Sequence, residues 1–390
     1  MNIIYIVFAP IPIHYANYLN IQNFKKNGFD VHICDVSSFF YSEEQTKAYF
    51  STTAQFYKPS FEKVTFIKNF EQLSNYLNNF DNSNSIIYYT GRSFYKRYKE
   101  NKIFELIYSY KYKIILSEFA TEFFPISFLE KLKFKIFLLR NKILFRKYNN
   151  LYFIGSGKNI ENISKKIFNQ TLKYFSVPHP NYIWSQNAND ANVTVYVEES
   201  LDGAPDNNTR KAVGGKFKGQ TLGRTDFLDD SSINSKIFYE NLNDFFLKFE
   251  NKFKTKILIA ASGKFVYHEN PFKSRDIKYG DTINLINKSK YVIGHSSMAL
   301  WQSIISKKKL ILLVDDHLSL YKKLEIKNLS KKINSKIFYL SKNNQIKSNY
   351  INDLENNYSQ EINFFLNSSK YKKNFQEIML DVINMIIKDR

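Results

Sequence analysis

The sequence predicts an α/β protein built from two Rossmann-like domains, and three observations support this. The chain of 390 residues exceeds the usual size of a single domain. Strand–helix–strand patterns occur at its start and again in residues 281–316. A polar stretch beside two prolines separates the two regions. We therefore expect a first domain at residues 1–178, a linker at 179–192, a second domain at 193–370 and a final helix at 371–390.

The composition fits two folded domains without disulfides. Hydrophobic residues make up 44% of the chain, with 36 Phe, 28 Tyr and 2 Trp, which is enough to fill two cores. The single cysteine, Cys34, excludes an intrachain disulfide, and no pair of Cys or His residues has zinc-site spacing, so we expect no metal. The first residues resemble a core strand rather than a signal peptide. No apolar run approaches the roughly 20 residues that span a bilayer. We expect a cytoplasmic protein.

The formal charge of +20 points to an anionic partner. Nucleic acid, an anionic membrane or acidic sugar substrates would each explain it, and so would a coding bias toward Ile, Lys, Asn, Phe and Tyr. The Lys and Arg residues are spread over the whole chain, and no nucleic-acid-binding motif accompanies them. We therefore expect no nucleic-acid partner.

The first domain is predicted to open with a strand, a helix and a second strand. Asn2–Phe8 and Val31–Cys34 are the strands, and His14–Lys26 is the helix, which Gly28 ends. His14 follows the carboxyl end of the first strand, where it is either a catalytic residue or an ordinary hydrogen-bonded loop residue. Further strands are predicted at 85–89, 113–116 and 151–154.

Residues 129–148 form the clearest amphipathic helix. Leu132, Ile136, Leu139 and Ile143 recur at helical spacing, and seven Lys and Arg residues accompany a single acid, Glu130. Two interpretations remain open at this point. The apolar stripe packs in the core of the domain, or it lies on an anionic membrane surface.

The second domain is predicted to begin with the strand Val193–Val197, which ends at Glu198 and Glu199. Residues 201–223 hold five of the chain's 12 glycines together with basic side chains. This segment is interpreted as a basic lid over the phosphates of a bound ligand or as a surface insertion. A strand at 256–261 then delivers Ser262, Gly263 and Lys264.

The chain is organised around residues 281–316. A short helix at 282–288 precedes a strand at 291–293 that ends at Gly294, and His295, Ser296 and Ser297 form the next turn. A helix at 298–305 and an apolar strand at 310–314 follow. The two serines lie where a helix begins, so unpaired N–H groups and hydroxyls would capture a phosphate or carboxylate. The alternative is that Ser296 only caps the helix.

The run from Gly294 to Ser297 resembles the nucleotide-binding part of GT-B glycosyltransferases that build bacterial surface polysaccharides, such as capsule and lipopolysaccharide. It is most similar to the sialyltransferase-like and Kdo-transferase-like groups, which use CMP-activated acidic sugars. The resemblance implies two Rossmann-like domains facing a cleft, with the final helix returning to the first. It implies a nucleotide-sugar substrate without a cofactor, and a glycan or lipid-linked glycan acceptor.

The resemblance also implies site residues. In these families an acid within an Asp/Glu-Asp/Glu-Gly motif is the general base of an inverting transfer. Here the pattern is Glu118-Phe119-Ala120, so Glu118 is the first candidate, with Glu122 and His14 next. A His-Pro pair that holds the donor is replaced by Ser262 and Gly263. The expected donor-binding residues are Glu198, Glu199, Ser262, Gly263, Lys264, Gly294, His295, Ser296 and Ser297.

The predicted function is therefore metal-independent transfer of an acidic sugar, such as a nonulosonic acid or Kdo, by a cytoplasmic protein that lies on the inner face of the membrane through residues 129–148. Two other functions stay open. A UDP-sugar 2-epimerase shares the fold and needs no acceptor, and charge alone would also serve a nucleic-acid-binding protein.

Overall fold

The structure is a computed structural model. It describes residues 1–8, 16, 19–42, 64–91, 98–119, 128–148, 151–168, 172–180, 192–199, 201, 232–261, 266–267, 269–340, 358 and 373–389. Within these ranges the chain forms two compact units, each built on its own parallel sheet. The predicted α/β class is confirmed.

The first unit contains a seven-stranded sheet in the order β3-β2-β1-β4-β5-β6-β7, with all neighbouring strands parallel. Its central strands are continuous runs of buried apolar residues, which is typical of a sheet covered on both faces. The strands are β1 Asn2–Val7, β2 Asp30–Asp35, β3 Val64–Phe66, β4 Ser85–Tyr89, β5 Lys113–Glu118, β6 Leu151–Ser156 and β7 Lys173–Val177.

Helices cover both faces of this sheet, and each face forms a separate apolar core. One core includes Phe104, Phe145 and Phe153, and the other includes Tyr5, Phe24 and Met379. The helices of the first unit are α1 Ile21–Lys26, α2 Phe70–Asn78, α3 Tyr98–Ser109, α4 Phe128–Phe145, α5 Gly157–Phe168 and α10 Phe375–Lys388.

The C-terminal helix α10 returns to the first unit, as predicted. It begins at a capping box in which Asn374 and Glu377 satisfy each other's backbone N–H groups. Its apolar face packs into the second of the two cores. The ammonium of Lys113 donates to the carbonyl oxygens of Ile386, Ile387 and Asp389, which are free at a helix C-terminus.

The second unit contains a six-stranded parallel sheet in the order β10-β9-β8-β11-β12-β13. The strands are β8 Val193–Val197, β9 Lys256–Ala261, β10 Ile277–Tyr279, β11 Tyr291–Gly294, β12 Lys309–Val314 and β13 Ile337–Tyr339. The helices are α6 Ser232–Phe253, α7 Thr282–Lys288, α8 Leu300–Ile305 and α9 Leu320–Lys332.

Four predicted helices differ from the observed ones at their ends. In the segment predicted as the helix His14–Lys26, helix α1 begins at Ile21, after Asn20, whose φ of 58° is left-handed. Helix α8 begins at Leu300 rather than Met298, because the residues after Ser297 form a turn first. Helix α4 ends at Phe145 and not at residue 148, and helix α10 begins at Phe375, where Asn374 caps it. Helix α9, Leu320–Lys332, was not among the predicted elements.

Candidate functional site

Three neighbouring strands of the second sheet deliver polar residues to its carboxyl edge. β8 leads into Glu198 and Glu199, and β11 leads into the loop of residues 295–297, called here the Ser-Ser loop. β12 leads into Asp315. Because β8, β11 and β12 are adjacent and parallel, these residues meet at the edge where open α/β sheets bind their ligands.

The Ser-Ser loop binds a carboxylate of the chain itself. One oxygen of Glu199 accepts the backbone N–H groups of both Ser296 and Ser297, each at 2.7 Å. The other oxygen is held by the ammonium of Lys322 on α9. The side chains of Lys322 and Glu199 are only 7% and 9% exposed. Two amides and an ammonium therefore converge on one oxyanion, away from water.

This environment keeps Glu199 ionised. Burial by itself raises the pKa of the Glu199 carboxyl, but the Lys322 ammonium and the amide of Ser296 together outweigh burial and hold the pKa below its usual value. The negative charge is thus stabilised by fixed donors rather than by solvent. A phosphate oxygen has the same requirements as this carboxylate oxygen.

The two serine hydroxyls stabilise the conformation of the loop and do not bind Glu199. The Ser296 hydroxyl donates to Glu325 at 3.2 Å, and Glu325 lies 3.7 Å from Lys322. The Ser297 hydroxyl accepts the N–H of Ala299 at 3.2 Å. The oxyanion contacts of this loop therefore come from its backbone.

His295 is fully buried beneath the loop and is hydrogen-bonded at both ring nitrogens. Nδ1 lies 2.8 Å from the carbonyl oxygen of Leu313, which only accepts, so Nδ1 carries the proton. Nε2 then accepts from the Tyr196 hydroxyl at 2.9 Å. Burial lowers the pKa of His295, and the ring is neutral at pH 7. Because His295 follows β11, Tyr196 lies on β8 and Leu313 lies on β12, these two hydrogen bonds connect the three strands.

Gly294 permits the close approach of helix α8 to the strand. A Cβ atom at this position would lie 2.7 Å from Cδ2 of Leu300, which is fully buried. Any larger residue here, just before the oxyanion-binding turn, would therefore force the buried Leu300 side chain to shift.

A second buried acid lies on the same edge. Asp315 accepts from the backbone N–H and the Nδ1 of His317, at 2.9 and 2.6 Å, and from the Asn241 side chain at 3.0 Å. It is fully buried. These bonds join the end of β12 to α6, so Asp315 fixes the edge beside the Ser-Ser loop.

In the first unit, Glu118 is the last residue of β5 and is half-buried at the carboxyl edge of the first sheet. It pairs in register with Gly155 of β6. This position is the one expected for a residue that contacts a ligand of this sheet. Two other candidates for the base, Glu122 and His14, lie outside the described residues.

Several other predicted features also lie outside the described residues. These are Ser262, Gly263 and Lys264 after β9, and residues 202–231, which include most of the predicted lid. Among the residues that the structure does describe, no group of three or more His, Cys, Asp or Glu is arranged to hold a metal ion. In the same part of the chain, no helix is long and apolar enough to cross a membrane.

Sequence reasoning missed Lys322 and Glu325. Both lie on α9, which Ser319 caps by accepting the N–H of Lys322. The i,i+3 spacing of Lys322 and Glu325 places these two on one helix face and was available in the sequence. Burial of Lys322, however, was not, because a lysine is rarely buried unless a partner from elsewhere in the fold neutralises it.

Comparison with solved structures identifies the fold. The structure of Arabidopsis thaliana UGT89C1 matches with a TM-score of 0.50 and 8% identity over 99% of both chains. The two-domain arrangement of parallel sheets and helices in this chain is therefore a GT-B fold. A UDP-glucosyltransferase from Polygonum tinctorium matches with a TM-score of 0.48 and 10% identity, covering 100% of this chain and 99% of the other. The UDP-GlcNAc 2-epimerase from Methanocaldococcus jannaschii matches with a TM-score of 0.47 and 10% identity, covering 99% of this chain and 100% of the other.

No protein-family model matches the sequence, and no curated protein matches it. The likeness to solved structures at this identity concerns the fold. The chemistry of this chain depends on the residues of its own site.

Proposed function

We propose that the protein is a glycosyltransferase whose second unit binds the phosphate of a nucleotide-sugar donor at the Ser-Ser loop. The observation that carries the proposal is the convergence of the Ser296 amide, the Ser297 amide and the Lys322 ammonium on the Glu199 carboxylate. These donors lie at the ligand-binding edge of a GT-B second sheet.

In this proposal the donor phosphate exchanges with the Glu199 carboxylate. Both are oxyanions, and the two amides remain in place because the serine hydroxyls and His295 fasten the loop independently of Glu199. Lys322 then faces the phosphate that becomes the leaving group. An ammonium in this position stabilises the charge that develops as the sugar departs, a task that a metal ion performs in other enzymes.

The first unit supplies the acceptor site and the base. The acceptor hydroxyl gives its proton to a carboxylate, its oxygen forms a bond to the anomeric carbon, and the bond from that carbon to the phosphate oxygen breaks with its electron pair. This is a single inverting displacement. Glu118 is our first candidate for the carboxylate because it ends a buried strand at the carboxyl edge. Glu122 and His14 remain the alternatives.

For the donor we propose a CMP-activated acidic sugar, such as a nonulosonic acid or Kdo, with a bacterial surface glycan or lipid-linked glycan as acceptor. The support is the resemblance of the residues from Gly294 to Ser297. The absence of the His-Pro pair at residues 262–263 sets the chain apart from that pattern, and a UDP-sugar is the alternative.

The test is isothermal titration calorimetry with CMP, UDP and GDP, followed by incubation with the matching sugar nucleotides. We expect CMP to bind best and Ser-Ser loop variants to lose that binding. Preferential binding of UDP would overturn the choice of donor. Conversion of a UDP-sugar to its 2-epimer without any acceptor would overturn the transferase assignment.

A further inference from the structure

Helix α4 carries an apolar stripe whose side chains are exposed. Leu132, Ile136, Leu139 and Ile143 are 47, 56, 61 and 69% exposed. At 100° per residue these four positions fall within an arc of about 60° on the helix. The alternative in which this stripe packs in the core is therefore wrong. These four aliphatic residues are aligned, and each is about half exposed or more. They therefore form a continuous apolar surface rather than scattered apolar residues.

The opposite side of α4 already anchors the helix to the first unit. Asn141 and Phe145 are buried, and Leu138 packs against the core. The Phe145 ring contacts the rings of Phe104 and Tyr148 at centroid distances of 6.2 and 6.0 Å. The helix thus has two apolar faces, and only the inner one is needed to hold it in place.

Basic side chains border the outer stripe. Lys135, Lys142 and Arg146 are exposed and lie along one side of it, about 50–90° from its centre by helical geometry. Arg140 is exposed on the other side. Lys147, also on that side, forms an ion pair with Glu105 at 2.6 Å. The stripe is therefore apolar along its centre and cationic along its borders, on a chain of net charge +20.

We propose that this face of α4 docks onto the surface of a lipid bilayer rich in anionic headgroups. The four aliphatic side chains insert at the boundary between headgroups and acyl chains, and the bordering cations contact lipid phosphates. The helix lies in the plane of the interface, which suits its length of 18 residues and its charged borders. A second copy of the chain fits poorly, because pairing two such faces would bring their cationic borders together.

Co-sedimentation with vesicles tests this. The full-length protein is mixed with phosphatidylcholine vesicles or with phosphatidylcholine–phosphatidylglycerol vesicles, at low and high salt. A stripe variant carries Ile136→Ser, Leu139→Ser and Ile143→Ser, and a border variant carries Lys135→Gln, Lys142→Gln and Arg146→Gln. Matched controls are Leu247→Ser, another exposed leucine, and the exposed surface set Lys25→Gln, Lys26→Gln and Lys68→Gln.

We expect binding to the anionic vesicles and its loss at high salt. The border variant should bind about 100-fold more weakly, because each cation at an anionic surface contributes about a fivefold factor. The stripe variant should bind at least ~10-fold more weakly, since each inserted methylene contributes about a fourfold factor. All the substituted side chains are exposed, so circular dichroism should remain unchanged.

Three results would overturn the proposal. The first is that the wild-type protein fails to bind the anionic vesicles at low salt. The second is that the two controls weaken binding as much as the two α4 variants. The third is that sedimentation velocity shows a dimer for the wild-type protein and a monomer for the stripe variant, in which case a second copy covers this face. None of these measurements involves the nucleotide, so they succeed or fail independently of the proposed transfer reaction.

Discussion

Glu199 and Lys322 form a buried ion pair between residues that are 123 positions apart in the chain. Glu199 follows the first strand of the second sheet, and Lys322 lies on helix α9 beyond its fifth strand in the sequence. The pair joins these elements directly over the Ser-Ser loop. Its two charges compensate each other in a place where neither would be stable alone.

Breaking this pair from one side should destabilise the second unit. Glu199→Gln leaves the buried Lys322 ammonium with the more distant Glu325 carboxylate at 3.7 Å, and breaking a buried pair from one side typically costs about 3–5 kcal/mol. Glu199→Gln combined with Lys322→Met removes both charges and should recover most of that loss. Urea unfolding, followed by a probe in the second unit, measures the effect. Glu325→Gln is the control, because Glu325 is more exposed and should cost under about 1 kcal/mol. Equal costs for Glu199→Gln and Glu325→Gln would contradict the prediction.

The exchange of Glu199 for the donor phosphate predicts opposite effects of two substitutions on affinity. Lys322→Met should weaken nucleotide binding by about 1.5–3 kcal/mol, the range for a hydrogen bond to a charged group. Glu199→Gln removes the competing carboxylate, so it should tighten binding of the nucleotide. Isothermal titration calorimetry measures both. If Glu199→Gln weakens binding as much as Lys322→Met does, Glu199 supports the ligand instead of making way for it.

The serine hydroxyls provide a separate test of the same loop. Ser296→Ala with Ser297→Ala keeps both amides that bind Glu199, but removes the bonds to Glu325 and Ala299. The protein should fold, and nucleotide binding should weaken by about 1–3 kcal/mol because the loop loses its two fastenings or the phosphate loses hydroxyl donors. Unchanged affinity in the calorimeter would show that neither hydroxyl contributes.

Glu118→Gln tests the base. The amide keeps the size of the side chain but does not accept a proton, so turnover should fall by about 10²–10⁴-fold. Nucleotide affinity should remain, because Glu118 lies in the first unit and the Ser-Ser loop in the second. Glu122→Gln and His14→Asn serve as comparisons. Near-normal turnover of Glu118→Gln, together with collapse of one comparison variant, would assign the role to that residue.

His179 should make stability depend on pH. Burial lowers the pKa of His179 to about 4, whereas the unfolded chain takes up a proton near pH 6.5. The unfolded state therefore binds more protons between pH 6.5 and 4, so the stability from this residue is complete above pH 6.5 and falls as the pH drops through that window. The full loss is about 3 kcal/mol. His179→Asn should lose less stability than wild type between pH 7.5 and 4.5, by roughly 2 kcal/mol in chemical unfolding. Equal losses of unfolding free energy in His179→Asn and in the wild-type protein would contradict the lowered pKa of His179.

Local pattern determined most of the secondary structure. The strands at 85–89, 193–197 and 256–261 match the prediction to the residue, because short runs dominated by apolar residues have few alternatives to a buried parallel strand. The position of the Ser-Ser loop after Gly294 was equally readable, since a strand end followed by small polar residues marks the ligand edge of such a sheet.

Three features depended on the tertiary structure. Glu199 was expected at the site, but its contact with the Ser296 and Ser297 amides joins residues about a hundred positions apart. Lys322 escaped notice because nothing local distinguishes a lysine that will be buried against a distant acid. The apolar stripe of α4 was visible in the sequence, but which side of the helix faces the core depends on the sheet that the helix packs against. Periodicity specifies the faces of a helix, and only the rest of the fold decides which of them remains in contact with solvent.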